Sequence, residues 1–255
     1  MTNYNIIGSV TVSILNKIAT IEFSHPASNS FPINLIEQLS SAISSQGKNP
    51  AINIIVLKST GNGAFCAGAS FNELLEVSSI EQGTKFFSGF ANVLNTMRTC
   101  PKLIIGRVQG KSVGGGVGLV AGCDLVYATT NAAIKLSEFT IGIGPFVIEP
   151  AVTRKIGKAA LSDLTLNAHE WKDADWAKSK GLYNNIYQNI EELDKDLEII
   201  SLKLASYNPQ ALIEMKKILW ENTDNWETLL YERASISGKL ALSDFTKNAL
   251  KNLIS

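Results

Sequence analysis

Apolar and polar positions along the chain change their period about two thirds of the way through. Residues 10–14 and 18–23 alternate apolar with polar on either side of Asn16 and Lys17, which predicts a hairpin. Residues 33–44 carry helical spacing, 52–58 read as a buried strand, and 84–98 as an amphipathic helix. Residues 103–108, 125–127 and 133–136 supply further short strands, each followed by a turn or helix. This alternation is an α/β pattern with parallel crossovers. From Lys155 onward strand signals almost vanish, and 159–167, 169–179, 190–206, 209–221 and 224–253 show helical spacing of apolar residues. Breaks fall at Asn208-Pro209 and at Asn222 to Asp224. The change of pattern divides a core of residues 1–190 from a helical segment of residues 191–255.

Composition narrows the class of partner. A chain of 255 residues that is 45% hydrophobic buries a substantial core as one large domain with an appended segment. Formal net charge is zero and the basic residues form no dense run, which argues against a nucleic-acid surface or an anionic membrane. Residues 1–7 lack the basic start and apolar stretch of a secretion signal, and the uncharged run 112–123 is too short to span a bilayer. A cytoplasmic protein that binds small molecules and itself is expected. Cys66, Cys100 and Cys123 are odd in number and lack metal-type spacing, and His25 and His169 stand far apart, so buried thiols and no metal are expected.

Two glycine-rich turns carry the candidate chemistry. The first runs from Gly63 to Ser70 after the β-branched stretch 52–58; the second places Gly114, Gly115, Gly116 and Gly118 after the apolar run 103–105. Small residues let backbone approach a ligand, and the apolar continuation at 119–122 reads as a helix whose first N–H groups are free. Lys111-Ser112 is not a phosphate loop, because the glycine such a loop needs five places before Gly110 is Ile105. Gly114, Gly116 and Gly118 also miss the dinucleotide spacing. Two turns that each deliver one N–H to a common point suit an oxyanion hole for a thioester enolate.

Phe65-Cys66-Ala67-Gly68-Ala69, Gln109-Gly110 with Gly114 to Gly116, Cys123-Asp124, and Glu138 with Gly142, Gly144 and Pro145 together resemble the crotonase (enoyl-CoA hydratase/isomerase) superfamily, in order and spacing. The resemblance runs from about Ile18 to the C-terminus. It implies a spiral of stacked ββα units followed by helices that form trimer contacts, and hence a homotrimer or a dimer of trimers. It places the oxyanion donors on the N–H groups of Ala69 and Gly115 and the acid/base on Glu138. Acyl-CoA contacts are implied for Ala27, Ala67, Ser70, Phe71, Gly114 and Pro145, with Asn29 beside the adenosine end. No resident cofactor is implied, since CoA arrives as part of the substrate.

The chain departs from that pattern at one carboxylate. Hydratases of the superfamily carry a first glutamate two residues after the third cluster glycine, and here that position is Gly118. A hydratase activates water and protonates carbon, which two carboxylates do readily; moving a double bond needs only one. Both outcomes on a 2- or 3-enoyl-CoA, in fatty-acid or branched-chain amino-acid breakdown, therefore stay open. So do a CoA-thioester-binding homologue without activity and an acyl-CoA hydrolase. Glu149 is the candidate second acid, with Arg154 as its possible salt-bridge partner. Glu73 reads as a first-turn helix charge, Ser70 as a helix cap and Asp124 as a structural anchor. Phe71, Leu74, Phe86, Phe87, Phe90 and Phe146 are the candidate acyl-pocket walls.

Overall fold

The computed structural model describes residues 8–254, so the expectation drawn from residues 1–7 falls outside it. A hairpin opens the fold: β1 (Ser9–Leu15) and β2 (Ile18–Ser24) pair antiparallel. Asn16 and Lys17 have φ of 52° and 62°, the left-handed pair that lets a two-residue turn follow the twist of its strands. Next come α1 (Ile33–Lys48), β3 (Ile54–Ser59), α2 (Phe71–Leu75) and α3 (Ile80–Thr99). β4 (Leu103–Val108), β5 (Ser112–Val113), α4 (Gly115–Gly122), β6 (Leu125–Thr129) and β7 (Ile134–Lys135) follow. A 3₁₀ turn at Glu138–Ile141 leads to α5 (Glu149–Leu166), α6 (Ala174–Ser179) and β8 (Asn185–Tyr187). The chain closes with α7 (Ile190–Ala205), α8 (Pro209–Leu219), α9 (Trp226–Ala241) and α10 (Asp244–Ile254).

The main sheet has the order β1-β2-β3-β4-β6-β8, and every pair after the hairpin is parallel. A second, narrower sheet is built from what each crossover contributes on its way back. β5 pairs with β7, and single parallel bridges join Phe31 to Ala69 and Cys66 to Ser112. Successive turns of chain thus stack as units that give one strand to each sheet, which is the expected ββα spiral.

Both faces of the main sheet are covered, which explains the unbroken apolar runs in its central strands. In β3, Ile55 and Leu57 face the large core under α1, α3 and α4, while Ile54 and Val56 face the other way with Leu103 and Ile105 of β4. Leu193, Leu197 and Ala205 of α7 cover that second face. The expected boundary near residue 190 falls between β8 and α7, so the segment after it begins by packing on the sheet. α9 lies along α3, burying Trp226, Leu230, Ala234 and Ala241 at helical spacing.

Several element bounds differ from expectation for local reasons. The helix expected over 159–167 begins ten residues earlier, at Glu149, because Pro150 starts it and its apolar face is buried from Ala151 on; it kinks at Gly157, where φ is 73°. Residues 169–173 are not helical; Asp173 caps α6, its carboxylate accepting from the Trp176 N–H at 2.7 Å. β8 is a strand that the helical pattern concealed, three residues long and pairing with β6. The single helix expected over 224–253 is two, α9 and α10, broken at Leu242–Ser243.

Asp124 ties the C-terminal helices to the sheet. Its carboxylate accepts from the Ile104 N–H at 2.7 Å and the Trp220 indole N–H at 2.6 Å, and it pairs with Lys216 at 3.0 Å, all in buried surroundings. Removing it strands a buried ammonium and two donors. Asp124→Ala is expected to cost about 3–5 kcal/mol in urea unfolding, and a loss below about 1 kcal/mol would show that the cluster holds nothing.

Candidate active site

The two glycine turns meet. Phe31 donates its N–H to the Gly68 carbonyl at 2.8 Å and accepts from the Ser70 N–H at 3.0 Å, so the parallel bridge uses the groups flanking Ala69. The N–H of Ala69 therefore points away from Phe31, toward the glycine cluster. Gly115 is the first residue of α4, and its N–H has no acceptor within the helix. The two segments touch: a Cβ added to Gly68 would lie 2.9 Å from the Val113 carbonyl oxygen and 3.7 Å from the Gly115 nitrogen. The two turns that carry the Ala69 and Gly115 N–H groups thus lie against each other.

Glycine is required here by close approach. Gly114 has φ 52°, and a Cβ there would stand 2.9 Å from Oε1 of Glu138. At Gly115 it would fall 2.2 Å from the Phe90 ring, and at Gly116 2.6 Å from the Cys66 carbonyl oxygen. The row is flat because three different neighbours lean on it.

Glu138 begins the 3₁₀ turn. Its carbonyl accepts from the Ile143 N–H at 3.1 Å, and Gly142, with φ 80°, closes the turn. Its side chain is thereby aimed at Gly114. Oε2 is buried and has no hydrogen-bond partner. That desolvation pushes the carboxyl up to about 7, well above an ordinary glutamate.

Around these groups closes a cavity of about 70 Å³. Phe71 and Leu74 of α2, Phe87 and Phe90 of α3, and Ile141, Phe146 and Ile148 make most of its wall, together with Ala67, Ala69, Gly114, Gly115 and Pro145. Phe86, expected among them, does not line it and packs edge-on to Phe87 at 5.1 Å instead. A larger hollow of about 840 Å³ lies between α1 and α3, but its lining of Ser40, Ser44, Asn92, Asn95 and Thr96 includes neither glycine turn nor Glu138.

The remaining candidates sort by geometry. Ser70 caps α2, its hydroxyl accepting from the Glu73 N–H at 3.4 Å, and does not line the cavity. Glu73 accepts from the Ile33 N–H at 2.8 Å, holding the start of α1 as well as sitting in the first turn of α2. Ala27 is exposed and outside the cavity, its N–H donating to His25 Nδ1 at 3.3 Å. Asn29 is buried, and its amide donates to the carbonyls of Thr60 and Ala64 at 3.2 and 2.9 Å, so this side chain fixes the first glycine turn and is not free to hold adenosine.

Glu149 does not enter the cavity. Its carboxylate pairs with Arg233 of α9 and accepts from the Thr153 hydroxyl at 2.5 Å. Arg154, its expected partner, lies over the Trp220 ring at 3.7 Å from the centroid. The reason is the entry into α5: neighbouring helical residues point about 100° apart, and Ile148, not Glu149, is the one that faces inward. Among the described residues Glu138 is the one carboxylate in the cavity wall.

Among the wall residues that sequence reasoning missed, Ile148 and Ser237 matter most to the chemistry. A Cβ added to Gly118 would meet Ile148 Cγ2 at 2.5 Å and Cβ at 2.8 Å, so the space beside Gly118 is filled by a hydrocarbon side chain. Ser237 reaches the cavity from α9. No local motif marks either, because both meet the glycine turns only through tertiary packing. The three cysteines are buried and free, with the Cys66 and Cys123 thiols each pushed up to about 12 by burial. Among the described residues no three His, Cys, Asp or Glu side chains stand close enough to hold a metal ion, and no helix is long and apolar enough to cross a membrane.

A profile of the family described as Enoyl-CoA hydratase/isomerase matches residues 13–247. The peroxisomal Delta(3,5)-Delta(2,4)-dienoyl-CoA isomerase of Arabidopsis thaliana is 25% identical over 206 residues, 75% of this chain and 72% of that protein. The mitochondrial methylglutaconyl-CoA hydratase of Homo sapiens is 31% identical over 189 residues, 74% of this chain and 55% of that one, so the chain spans little more than half of that relative. The crystal structure of an enoyl-CoA hydratase from Bacillus halodurans superposes with a TM-score of 0.89 at 21% identity, covering 95% of this chain and 99% of that chain. These likenesses show the spiral fold expected from the sequence.

The Glu138 carboxyl has a consequence for stability. Its folded pKa, about 7, lies above the ordinary 4.5, so the folded state holds the proton to higher pH than the unfolded chain does. Stability is therefore lost as pH rises from about 4.5 to about 7, and the loss is constant above that. Glu138→Gln is expected to be more stable than the parent at pH 8, by roughly 3 kcal/mol at ~1.36 kcal/mol per pH unit. The gap should vanish toward pH 4.5 in chemical unfolding, and a gap independent of pH would refute the assignment.

Proposed function

Because the chain belongs to the enoyl-CoA hydratase/isomerase family, we propose that it acts on an acyl-CoA thioester through an enolate and moves a double bond between the 3-enoyl and 2-enoyl positions. The observation that carries the choice of isomerisation over hydration is the space beside Gly118, which Ile148 occupies. Adding water takes one group to activate it and another to protonate carbon. Here a single carboxylate faces an apolar wall. A double-bond shift needs one group that takes a proton and gives it back.

In this reading the thioester carbonyl oxygen accepts hydrogen bonds from the N–H groups of Ala69 and Gly115. Each such donor is worth ~2.7–4 kcal/mol in a comparable oxyanion hole, because it favours the developing oxyanion over the neutral thioester. Glu138 removes a proton from C2 of a 3-enoyl chain, and the electron pair moves into the carbonyl to give a dienolate. The same carboxyl returns the proton to C4, and the double bond settles between C2 and C3. A carboxyl pushed up to about 7 is matched to both halves of that transfer, since it takes and releases a proton near neutral pH. Phe71, Gly114 and Pro145 hold the acyl group and Ala67 the pantetheine end, while Ala27 and Ser70 are left to the outer part of CoA.

The same reading includes residues 191–255 as a trimer-forming segment, with a homotrimer or dimer of trimers as the assembly. Exposed Met215, Ile218 and Leu219 on α8 support it. It also includes a cytoplasmic location, and CoA that enters with the substrate rather than as a resident cofactor.

The test is incubation with 3-hexenoyl-CoA and crotonyl-CoA in heavy-oxygen water, followed by mass spectrometry and proton NMR. Double-bond migration without label uptake is the expected result, and label uptake would replace isomerase by hydratase. Free thiol release would mark a thioester hydrolase, and tight binding without turnover a CoA-thioester-binding protein. Glu138→Gln should lower kcat by about 10²–10⁴-fold. The parent's kcat/KM should climb with pH and level off above about 7, because the carboxylate is the active form.

A further inference from the structure

The acyl cavity has a polar group that the proposed chemistry does not use. α9 is drawn against α3 until backbone meets backbone: a Cβ added to Gly83 would lie 2.7 Å from Gly238 Cα, and one added to Gly238 2.5 Å from the Thr84 nitrogen. That approach carries the neighbouring Ser237 into the cavity wall. Ser237 is buried, and among the described residues no side-chain hydrogen bond involves its hydroxyl. A hydroxyl in the cavity wall with no protein partner leaves both a donor and an acceptor to be satisfied by whatever fills the space.

Charge in the cavity is one-sided. Apart from Ser237, its polar side chains are Ser137 and Glu138, and no Lys, Arg or His lines it. Arg233, one helical turn before Ser237, is engaged elsewhere: it pairs with Glu149 and donates to the Phe146 carbonyl at 3.3 Å. A second anion entering here would lose its water, find no countercharge and face the Glu138 carboxylate in a space of low dielectric. The wall already strains to hold one negative charge, as the raised carboxyl of Glu138 records.

We propose that the cavity selects an uncharged acyl chain bearing a neutral hydrogen-bonding atom that meets the Ser237 hydroxyl, and rejects an acyl chain carrying a second carboxylate. The selection rests on the acyl-CoA reading above and narrows its substrate class. Ser237 is its specificity-determining residue.

Three thioesters of one skeleton test it by titration calorimetry at pH 8: 3-methylglutaconyl-CoA, its terminal amide, and 3-methyl-2-pentenoyl-CoA, in which a methyl replaces the distal carboxylate. The amide and the hydrocarbon are expected to bind, with the acid at least about 100-fold weaker than the amide. Ser237→Ala should reduce the amide's advantage over the hydrocarbon about three- to tenfold. Glu138→Gln should bring the acid about tenfold closer to the amide by removing the like charge. Acid and amide binding within threefold of each other would overturn the selection alone. Equal weakening of amide and hydrocarbon in Ser237→Ala would overturn the role of the hydroxyl. Failure of all three to bind would overturn the acyl-CoA reading and the selection with it.

Discussion

Everything in the site depends on how closely other groups approach the start of α4. The Glu138 carboxylate, the Phe90 ring and the Cys66 backbone press on three consecutive residues from three directions, and each contact would collide with a single added carbon. Glycine at 114, 115 and 116 lets all three close on the start of α4, where the Gly115 N–H has no acceptor within the helix. The rest of the spiral is arranged to hold those neighbours in place: the 3₁₀ turn aims Glu138, α3 carries Phe90, and the bridge from Cys66 to Ser112 sets the first turn against the second.

Two effects oppose each other at Glu138. Its carboxylate lies beside the N-terminus of α4, where the helix dipole and free N–H groups favour the anion, typically by ~0.3–1 kcal/mol. Burial without a partner at Oε2 favours the neutral acid. Burial wins, since the group ends near 7 and not below its ordinary 4.5. A group that titrates near neutrality is more useful for giving back a proton than one held permanently as an anion. In the proposed reaction the unsatisfied oxygen and the missing ion pair therefore serve proton transfer rather than mark a defect in packing.

Local patterns made the fold and half of the site legible. Alternation named the hairpin, and the long apolar runs named strands that turned out to be covered on both faces. The glycine turns could be read because close backbone approach writes itself into sequence as missing side chains. β8 could not be read, because three residues between helical stretches leave no period to detect. Glu149 misled for a related reason. Its neighbours placed it near the pocket correctly, but one residue of helical rotation decides which side chain faces inward, and that is set where α5 begins. Ser70 and Asn29, expected beside the acyl-CoA, spend their hydrogen bonds on the backbone around them.

Gly118 and Ile148 show what single positions cannot disclose. Read alone, Gly118 is an absence, and an absence admits water, substrate or nothing. The structure fills it with a branched hydrocarbon thirty residues later in the chain, in contact too close for any side chain at 118. The pair behaves as one volume shared by two residues, so the absence of a carboxylate at 118 and the sec-butyl group of Ile148 are a single feature of the site. A charged group removed and replaced by water would leave a wet pocket in which an enolate is easily protonated from solvent. With Ile148 there instead, the wall is apolar apart from Ser137, Ser237 and Glu138, and in the proposed reaction Glu138 is the one carboxyl in it to take the proton and give it back. The proposed return of the same proton to a different carbon rests on that enclosure more than on the identity of Glu138 itself.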